Sequence, residues 1–333
     1  MHVVNVHGPN DVRLDVIVPP TLGDYDATVR IEACGICGTD LSFIRMGGLS
    51  WGSKPMPLGH EACGRVVAIG AKVENVQLGD HVIVNPMGSS AIIGNGGSEG
   101  AFTEELFVRD VGRTRSLLKA PPGLLSRYGA LAEPLGVAMH GVNRSDAKPG
   151  EKAVVFGCGP IGLGAILWLR HFGVDDVVAI DVHQQRLQLA RAMGATATVR
   201  ADLEDVAARL IEIHGACDVM GRPAPGTNVY IDAAGAPNIV PDVVRMARSH
   251  ARLVVIAAYT KSVELDLGTM LLSEMSICTS MGYPDELETV IGLLPSLTDK
   301  LDLMITHRFP FERVMEALSV AGTADAGKVM VEF

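Results

Sequence analysis

The sequence predicts an α/β chain in which a doubly wound parallel sheet is carried between β-rich stretches. Three observations predict it. From Glu133 onward, strand-like and helical runs alternate, the pattern of βαβ units on a parallel sheet. Within that region the apolar strand Lys152 to Phe156 runs straight into Gly157-Cys158-Gly159-Pro160-Ile161-Gly162. Before it, and again towards the end of the sequence, the elements are short and strand-like, cut by glycine and proline. The 333 residues are enough for two domains, at ~150 residues each.

Taken in order, Val3 to Val6, Arg13 to Val18, Ala27 to Glu32, Gly64 to Ile69 and His81 to Val84 read as extended. Pro86 to Gly100 is rich in glycine and serine and reads as a loop. The alternation then begins: strand Lys152 to Phe156, helix Ile161 to Phe172, strand Val177 to Asp181, helix Gln184 to Met193. It continues with strand Val229 to Asp232, helix Ile239 to Arg248 and strand Arg252 to Ala257. The final stretch returns to short mixed elements and ends in the strand-like Lys328 to Phe333. No internal repeat, heptad array or low-complexity tail is present.

Composition excludes several classes. With 48% apolar residues the chain can bury a core, so disorder is excluded. Acidic residues outnumber basic ones 38 to 28, a net charge of −10. No basic stripe compensates, which argues against a nucleic-acid or anionic-membrane partner. No apolar run reaches the ~18 residues of a membrane helix. Met1 to His7 lacks the basic and apolar regions of a signal peptide. Six scattered cysteines are too sparse for a disulfide scaffold. A cytoplasmic chain with reduced thiols or metal-bound cysteines is expected.

The glycine turn carries a chemical expectation. In G-x-G-x-x-G, Gly157 permits the tight turn, Gly159 lets backbone approach a pyrophosphate, and Gly162 lets helix pack on strand. Pro160 and Ile161 open the helix, whose N-terminus offers free N–H groups to phosphate. Asp181 ends the second strand nineteen residues beyond Gly162, close to the ~20 expected of a ribose-binding carboxylate. It can accept both ribose hydroxyls of NAD and would repel the 2′-phosphate of NADP. Arg186, nearby, is the residue that could instead meet a phosphate. The turn and Asp181 could also be a packing turn and an ordinary surface carboxylate. The strand-turn-helix context favours a dinucleotide.

Cys34-Gly35-Ile36-Cys37 lacks the thioredoxin-like βαβ context of a redox pair. It also lacks the second cysteine pair of a structural zinc site. Downstream of it come Gly59-His60-Glu61 and later Ala132-Glu133-Pro134. Thiolate, imidazole and carboxylate are good zinc ligands, and three of them with one open position make a catalytic site able to acidify an alcohol. Spacing alone leaves a second reading equally open: a buried thiol, a core histidine and surface glutamates.

Cys37-Gly38-Thr39-Asp40, Gly59-His60-Glu61, Gly79-Asp80-His81-Val82, Glu133-Pro134-Leu135 and the glycine turn occur in that order. This series resembles the zinc-dependent medium-chain alcohol and polyol dehydrogenases over nearly the whole chain. The resemblance implies a GroES-like β-rich catalytic domain, 1–133 with 280–333, around a Rossmann NAD-binding domain, 134–279. It implies that Cys37 and His60 hold a catalytic zinc, that Glu61 is a direct or alternate ligand, and that Glu133 stands at the third protein ligand. It implies that Thr39 takes the substrate proton and passes it to the nicotinamide ribose. Cys34 matches no ligand and reads as a small buried residue. Homodimers or homotetramers paired through the edge of the Rossmann sheet are the family habit.

Three departures from the family pattern shape the expectation. The stretch Asn85 to Gly100 has none of the four cysteines of a structural zinc lobe, so one catalytic zinc and no structural zinc is expected. Ser42 replaces the histidine that often ends the proton relay. Thr279 to Tyr283 lacks the arginine that sorbitol-type members use for polyol hydroxyls. With Phe43, Met46, Trp51, Ile92 and Met281 as apolar candidates for the substrate pocket, a polyol's hydroxyls would lose partners. Phe43 and Trp51 could equally be core or lid residues. The expected activity is therefore NAD-dependent interconversion of a secondary alcohol or diol with its ketone. The alternatives are a sorbitol- or idonate-type polyol dehydrogenase, a zinc-free quinone or enoyl reductase, and a non-catalytic dinucleotide-binding structural module.

Overall fold

The computed structural model describes residues 1–333, and the chain divides into two compact units. Met1–Glu133 and Leu287–Phe333 form the first, and Pro134–Glu286 the second. The chain returns to the first unit at Leu287 and not at 280, because His140 and Asn143 hold Glu286 by hydrogen bonds of 2.8 and 3.1 Å within the second unit. No helix is long and apolar enough to cross a membrane.

The first unit begins with β1 (His2–Gly8), β2 (Asp11–Val16), β3 (Ala27–Gly35), α1 (Gly38–Met46) and β4 (Met56–Pro57). Next come β5 (Glu61–Ile69), β6 (His81–Val84), β7 (Glu105–Val108), β8 (Leu117–Lys119) and the short α2 (Ser126–Gly129). β2, β1 and β4 make a small sheet, and β17-β18-β3-β5-β6-β8 a larger one with β7 on β3, where β17 is Ile305–Pro310 and β18 is Lys328–Glu332. Alternation along β3 puts Val29, Ile31 and Ala33 inward, and Val29 and Ile31 join Val66, Val82, Phe102 and Val331 in one core. The loop expected at 86–100 is a series of turns with one 3-10 turn at Pro86–Gly88. In it, Arg109 donates to the buried Glu99 at 2.6 Å.

In the second unit α3 (Ala132–Ser145, entered at Pro134) leads into the alternating part. This comprises β9 (Lys152–Phe156), α4 (Pro160–His171), β10 (Asp176–Asp181), α5 (Gln184–Met193), β11 (Ala197–Arg200) and α6 (Val206–His214). A hairpin of β12 (Ala216–Val219) and β13 (Arg222–Pro225) intervenes before β14 (Val229–Asp232), α7 (Ile239–Met246), β15 (Arg252–Val255), α8 (Leu267–Ser273) and β16 (Ser276–Thr279). The sheet order is β11-β10-β9-β14-β15-β16, every pair parallel. This is the 3-2-1-4-5-6 order of the Rossmann fold. Helices α9 (Leu287–Leu293), α10 (Thr298–Met304) and α11 (Val314–Ala321) belong to the returning part of the first unit.

The expected strands and helices end within about three residues of the observed ones. The hairpin β12–β13 was not expected, since Pro223 and Pro225 disfavour a strand reading. They are tolerated because these two strands pair only with each other. The turn joins Val219 to Arg222 through Met220 (φ +51°) and Gly221 (φ +83°). Two left-handed residues are the signature of a type I′ turn. Met220 is a poor occupant of that conformation, whereas asparagine adopts it readily. Met220→Asn is expected to stabilise the protein by about 0.5–1 kcal/mol, read from the midpoint of denaturant unfolding; an unchanged or lower midpoint refutes this.

Candidate metal centre and dinucleotide site

In the first unit the chain leaves β3 at Gly35 and enters α1 through Cys37, whose Sγ accepts the Thr39 N–H at 3.4 Å. Asp40 completes a capping box by accepting the Cys37 N–H at 2.9 Å. Its other oxygen accepts the Gly59 N–H at 3.3 Å and lies 3.5 Å from His60 Nδ1. One fully buried carboxylate thus fixes both ligand-bearing loops. Burial alone would lower the pKa of His60, but Asp40 and Cys37 on its two sides push it well above its ordinary value.

Cys37 Sγ, a ring nitrogen of His60 and a carboxylate oxygen of Glu61 lie within 4.8 Å of one another. Ligands of one tetrahedral zinc at about 2.0–2.3 Å stand roughly 3.3–3.8 Å apart, so side-chain shifts of about 1 Å would bring all three onto a single ion. Binding an ion would require His60 to give up its proton; its Nδ1 is buried without a hydrogen bond, with Asp40 3.5 Å away in the place of the usual outer partner of a metal-bound histidine. The donor set fits zinc. Glu133 is buried but stands outside this cluster. Its burial pushes the carboxyl up to about 7, with His60 and Lys328 pulling it down and Glu61 and Asp40 pushing it further up. Cys34 is fully buried, its Sγ directed at the Gly35 carbonyl and outside the cluster.

Glu61 has a second partner that sequence reasoning missed. Lys328 Nζ, almost completely buried, donates to both Glu61 oxygens at 2.7 and 2.5 Å and to the Ile36 carbonyl at 2.9 Å. Burial would lower the Lys328 pKa, but the neighbouring Glu61 raises it above its ordinary value. The pair crosses the face of Gly35, where an added Cβ would lie 2.1 Å from Glu61 Oε2.

The other expected residues of this unit are more widely spread. Thr39 is half-buried, next to Cys37. The Ser42 hydroxyl donates to the Gly38 carbonyl at 3.0 Å and accepts from Arg45 at 2.9 Å, so its proton is already committed. Phe43 lies in the unit's core. Met46, Trp51 and Ile92 are exposed, and the Trp51 ring lies against Gly96 of the 86–100 loop.

In the second unit Gly157 takes φ +85°, and a Cβ there would strike Ala234 at 2.8 Å. A Cβ at Gly162 would lie 1.7 Å from the Gly157 carbonyl, so helix and turn close only on glycine. Gly159 has nothing within 4 Å of its missing Cβ, leaving room for a ligand against the backbone. Pro160 and Ile161 start α4 directly behind it. Asp181 ends β10 with one oxygen accepting the Cys158 N–H at 2.7 Å and the other accepting the His183 N–H at 2.9 Å. Sequence reasoning missed Asp232, which is fully buried. It accepts the Ala234 and Gly235 N–H groups, each at 2.9 Å, and the Tyr259 hydroxyl at 2.6 Å. These bonds shape the turn that meets Gly157. Arg186 lines the same cavity as Asp181. Met281 is 88% exposed.

A thiolate–imidazole–carboxylate cluster in one unit and a glycine turn with a strand-end aspartate in the other define a metal- and dinucleotide-dependent oxidoreductase. Comparison with known proteins agrees. Residues 23–133 match the alcohol dehydrogenase GroES-like domain, and residues 160–296 the zinc-binding dehydrogenase domain. The chain is 30% identical to a sorbitol dehydrogenase of Rattus norvegicus, over 98% of this chain and 94% of that one. The crystal structure of 2R,3R-butanediol dehydrogenase from Bacillus subtilis superposes with a TM-score of 0.87 at 27% identity, covering 100% and 99% of the two chains. A short chain alcohol dehydrogenase from E. coli CFT073, complexed with NADH, gives 0.87 at 25% identity and the same coverage. The chain belongs to the zinc-dependent medium-chain dehydrogenase family, and it is an enzyme of the zinc alcohol dehydrogenase type that acts on small molecules.

The metal centre is open to two tests. Cys37→Ala is expected to lose bound zinc while the fold survives, whereas Cys34→Ala keeps its metal, both read by elemental analysis beside circular dichroism. Equal metal loss in the two variants would place Cys34 among the ligands. Lys328→Met leaves a buried carboxylate unpaired and should cost about 3–5 kcal/mol in metal-stripped protein. Adding Glu61→Gln should return most of that loss; denaturant unfolding of the single and double variants decides it.

Proposed function

We propose that the protein interconverts a secondary alcohol or small diol and its ketone, with NAD as the preferred dinucleotide and one zinc per chain. The cluster of Cys37, His60 and Glu61 carries this reading, because a zinc-free reductase or a non-catalytic module has no use for it. When bound, zinc supplies a Lewis acid that lowers the pKa of an alcohol, and the dinucleotide supplies the hydride acceptor. Cys37 and His60 would hold the metal, with Glu61 or Glu133 as the carboxylate ligand. Asp40 fixes the backbone before His60 through the Gly59 N–H and places its charge 3.5 Å from the ring. Thr39 Oγ1 is the group assigned to receive the substrate hydroxyl proton. Because the Ser42 proton is spent on Gly38, the proton would leave Thr39 through solvent or the cofactor ribose and not through Ser42.

Asp181 supports NAD over NADP by its charge at the end of β10. Trp51 and Ile92, both exposed and apolar, are the substrate-pocket candidates of the first unit, whose core holds Phe43; Met281 is exposed on the second unit. The absence of arginine in 279–283 favours a weakly hydroxylated substrate. Similarity to sorbitol dehydrogenases favours the second reading, a polyol dehydrogenase. Pairing of two or four copies through the edge strand β16 is supported by its position at the sheet edge and by the exposed Leu271 and Leu272 on α8. Six cysteines without a disulfide among them suit a cytoplasmic setting.

The test is NADH formation across short diols, cyclic and aromatic secondary alcohols and sugar alcohols, repeated with NADP. Higher kcat/KM on 2,3-diols and simple secondary alcohols than on sorbitol, and on NAD than on NADP, is expected. Asp181→Ser should narrow the cofactor ratio by about tenfold or more. Sorbitol as the best substrate would establish the polyol reading instead, and a wild-type preference for NADP would overturn the role given to Asp181.

A further inference from the structure

The second unit contains a cavity of about 920 Å³ that begins at Gly157, Gly159 and Asp181 and continues well past them. Its far part is walled by Ile211 of α6, Ile239 and Met246 of α7, and Pro223 and Pro225 of the hairpin. The two prolines are two residues apart on β13 and so lie on one face of the ribbon. Their rings are rigid, apolar and carry no N–H, which suits a flat ring laid against them. One bond ties the hairpin to the far side of the cavity, and another closes its own open end. Arg222 donates to the Ala247 carbonyl just beyond α7 at 2.9 Å, and Gly226 N–H donates to the Gly215 carbonyl at 2.8 Å.

The charges around this far part speak against an anionic occupant. Arg245 is paired with Asp242 and Glu204 with Arg209, Asp205 keeps its negative charge at the start of α6, and Arg222 is turned to the Ala247 carbonyl. The place is suited to an uncharged heteroaromatic ring that is tethered to groups bound at the glycine turn.

We propose that the β12–β13 hairpin is the outer wall of the adenosine end of the dinucleotide site, with Pro223 and Pro225 packing on the base. This rests on the dinucleotide reading of the glycine turn and adds to it a clamp built from residues outside the main sheet. The hairpin holds the adenosine half only, so its effect is on affinity for the whole dinucleotide and not on the chemistry at the nicotinamide ring. Arg222 is a positioning residue that keeps the ribbon seated.

The experiment compares full-length wild type with Pro223→Asp, a substitution at an exposed position, and with Arg222→Ala. NADH affinity is read by fluorescence titration and ADP-ribose affinity by competition. Turnover with nicotinamide mononucleotide, which lacks the adenosine half, is the control. Pro223→Asp is expected to weaken NADH and ADP-ribose about tenfold or more, with Arg222→Ala a smaller loss in the same direction. Turnover with the mononucleotide, and kcat at saturating NAD, should stay within about twofold. Unchanged NADH and ADP-ribose affinity in both variants overturns the clamp. So does an equal loss with the mononucleotide, since the hairpin would then be supporting the whole fold. Failure of wild type itself to bind NADH or ADP-ribose would overturn the dinucleotide reading beneath it.

Discussion

The buried ion pair between Lys328 and Glu61 constrains the first unit more than any other contact. Removing two charges from water costs several kcal/mol per ion, and the loss is offset only by close and complete hydrogen bonding. That geometry needs three strands in one register. Glu61 opens β5 opposite Gly35 of β3, and Met330 of β18 lies opposite the same Gly35. Gly35 must have no side chain for the two long ones to meet. The turn that leaves Gly35 then delivers Cys37 to the position where its thiolate can share an ion with His60 and Glu61. Register, glycine and metal centre are one arrangement.

Asp40 and Asp232 play comparable parts in the two units. Neither would touch a substrate or an ion, yet each is fully buried and accepts backbone N–H groups from the segments that do. A carboxylate in such a place converts loop backbone into a fixed scaffold, because releasing any one donor leaves a charge without compensation. Chemistry-bearing residues on loops gain the precision that helices and strands supply elsewhere.

Much of this was legible in the sequence for physical reasons. The parallel sheet announces itself because its strands are apolar on both faces and separated by helical runs. The glycine turn can be recognised because each glycine answers a separate steric demand, and all three demands are met in space. Cys37, His60 and Glu61 were legible as a set through motif order, since spacing alone left the metal undecided. Asp40 had a local signal, the three-residue offset of a capping box from Cys37, which could have revealed it. Lys328 had none. It is separated from Glu61 by 267 residues and sits in an otherwise apolar strand, where a lysine reads as a solvated edge. The hairpin stayed hidden because its prolines contradict strand propensity, and only the isolated two-strand pairing makes them acceptable. Glu133 is buried and feels the charges of His60 and Glu61, and residue type alone does not say which of the two glutamates would take the ion.

The separation of Lys328 from Glu61 also orders events during synthesis. A ribosome makes Glu61 and most of the β-rich sheet long before it reaches the strand that neutralises that carboxylate. The intervening Pro134–Glu286 unit, with all six strands of its sheet inside that one stretch of chain, can complete its own core in the meantime. Until β18 arrives, Glu61 is a carboxylate that must stay hydrated or find a cation, so the nascent first unit cannot close dry. The candidate metal site is therefore among the last parts of the molecule to acquire its final electrostatics.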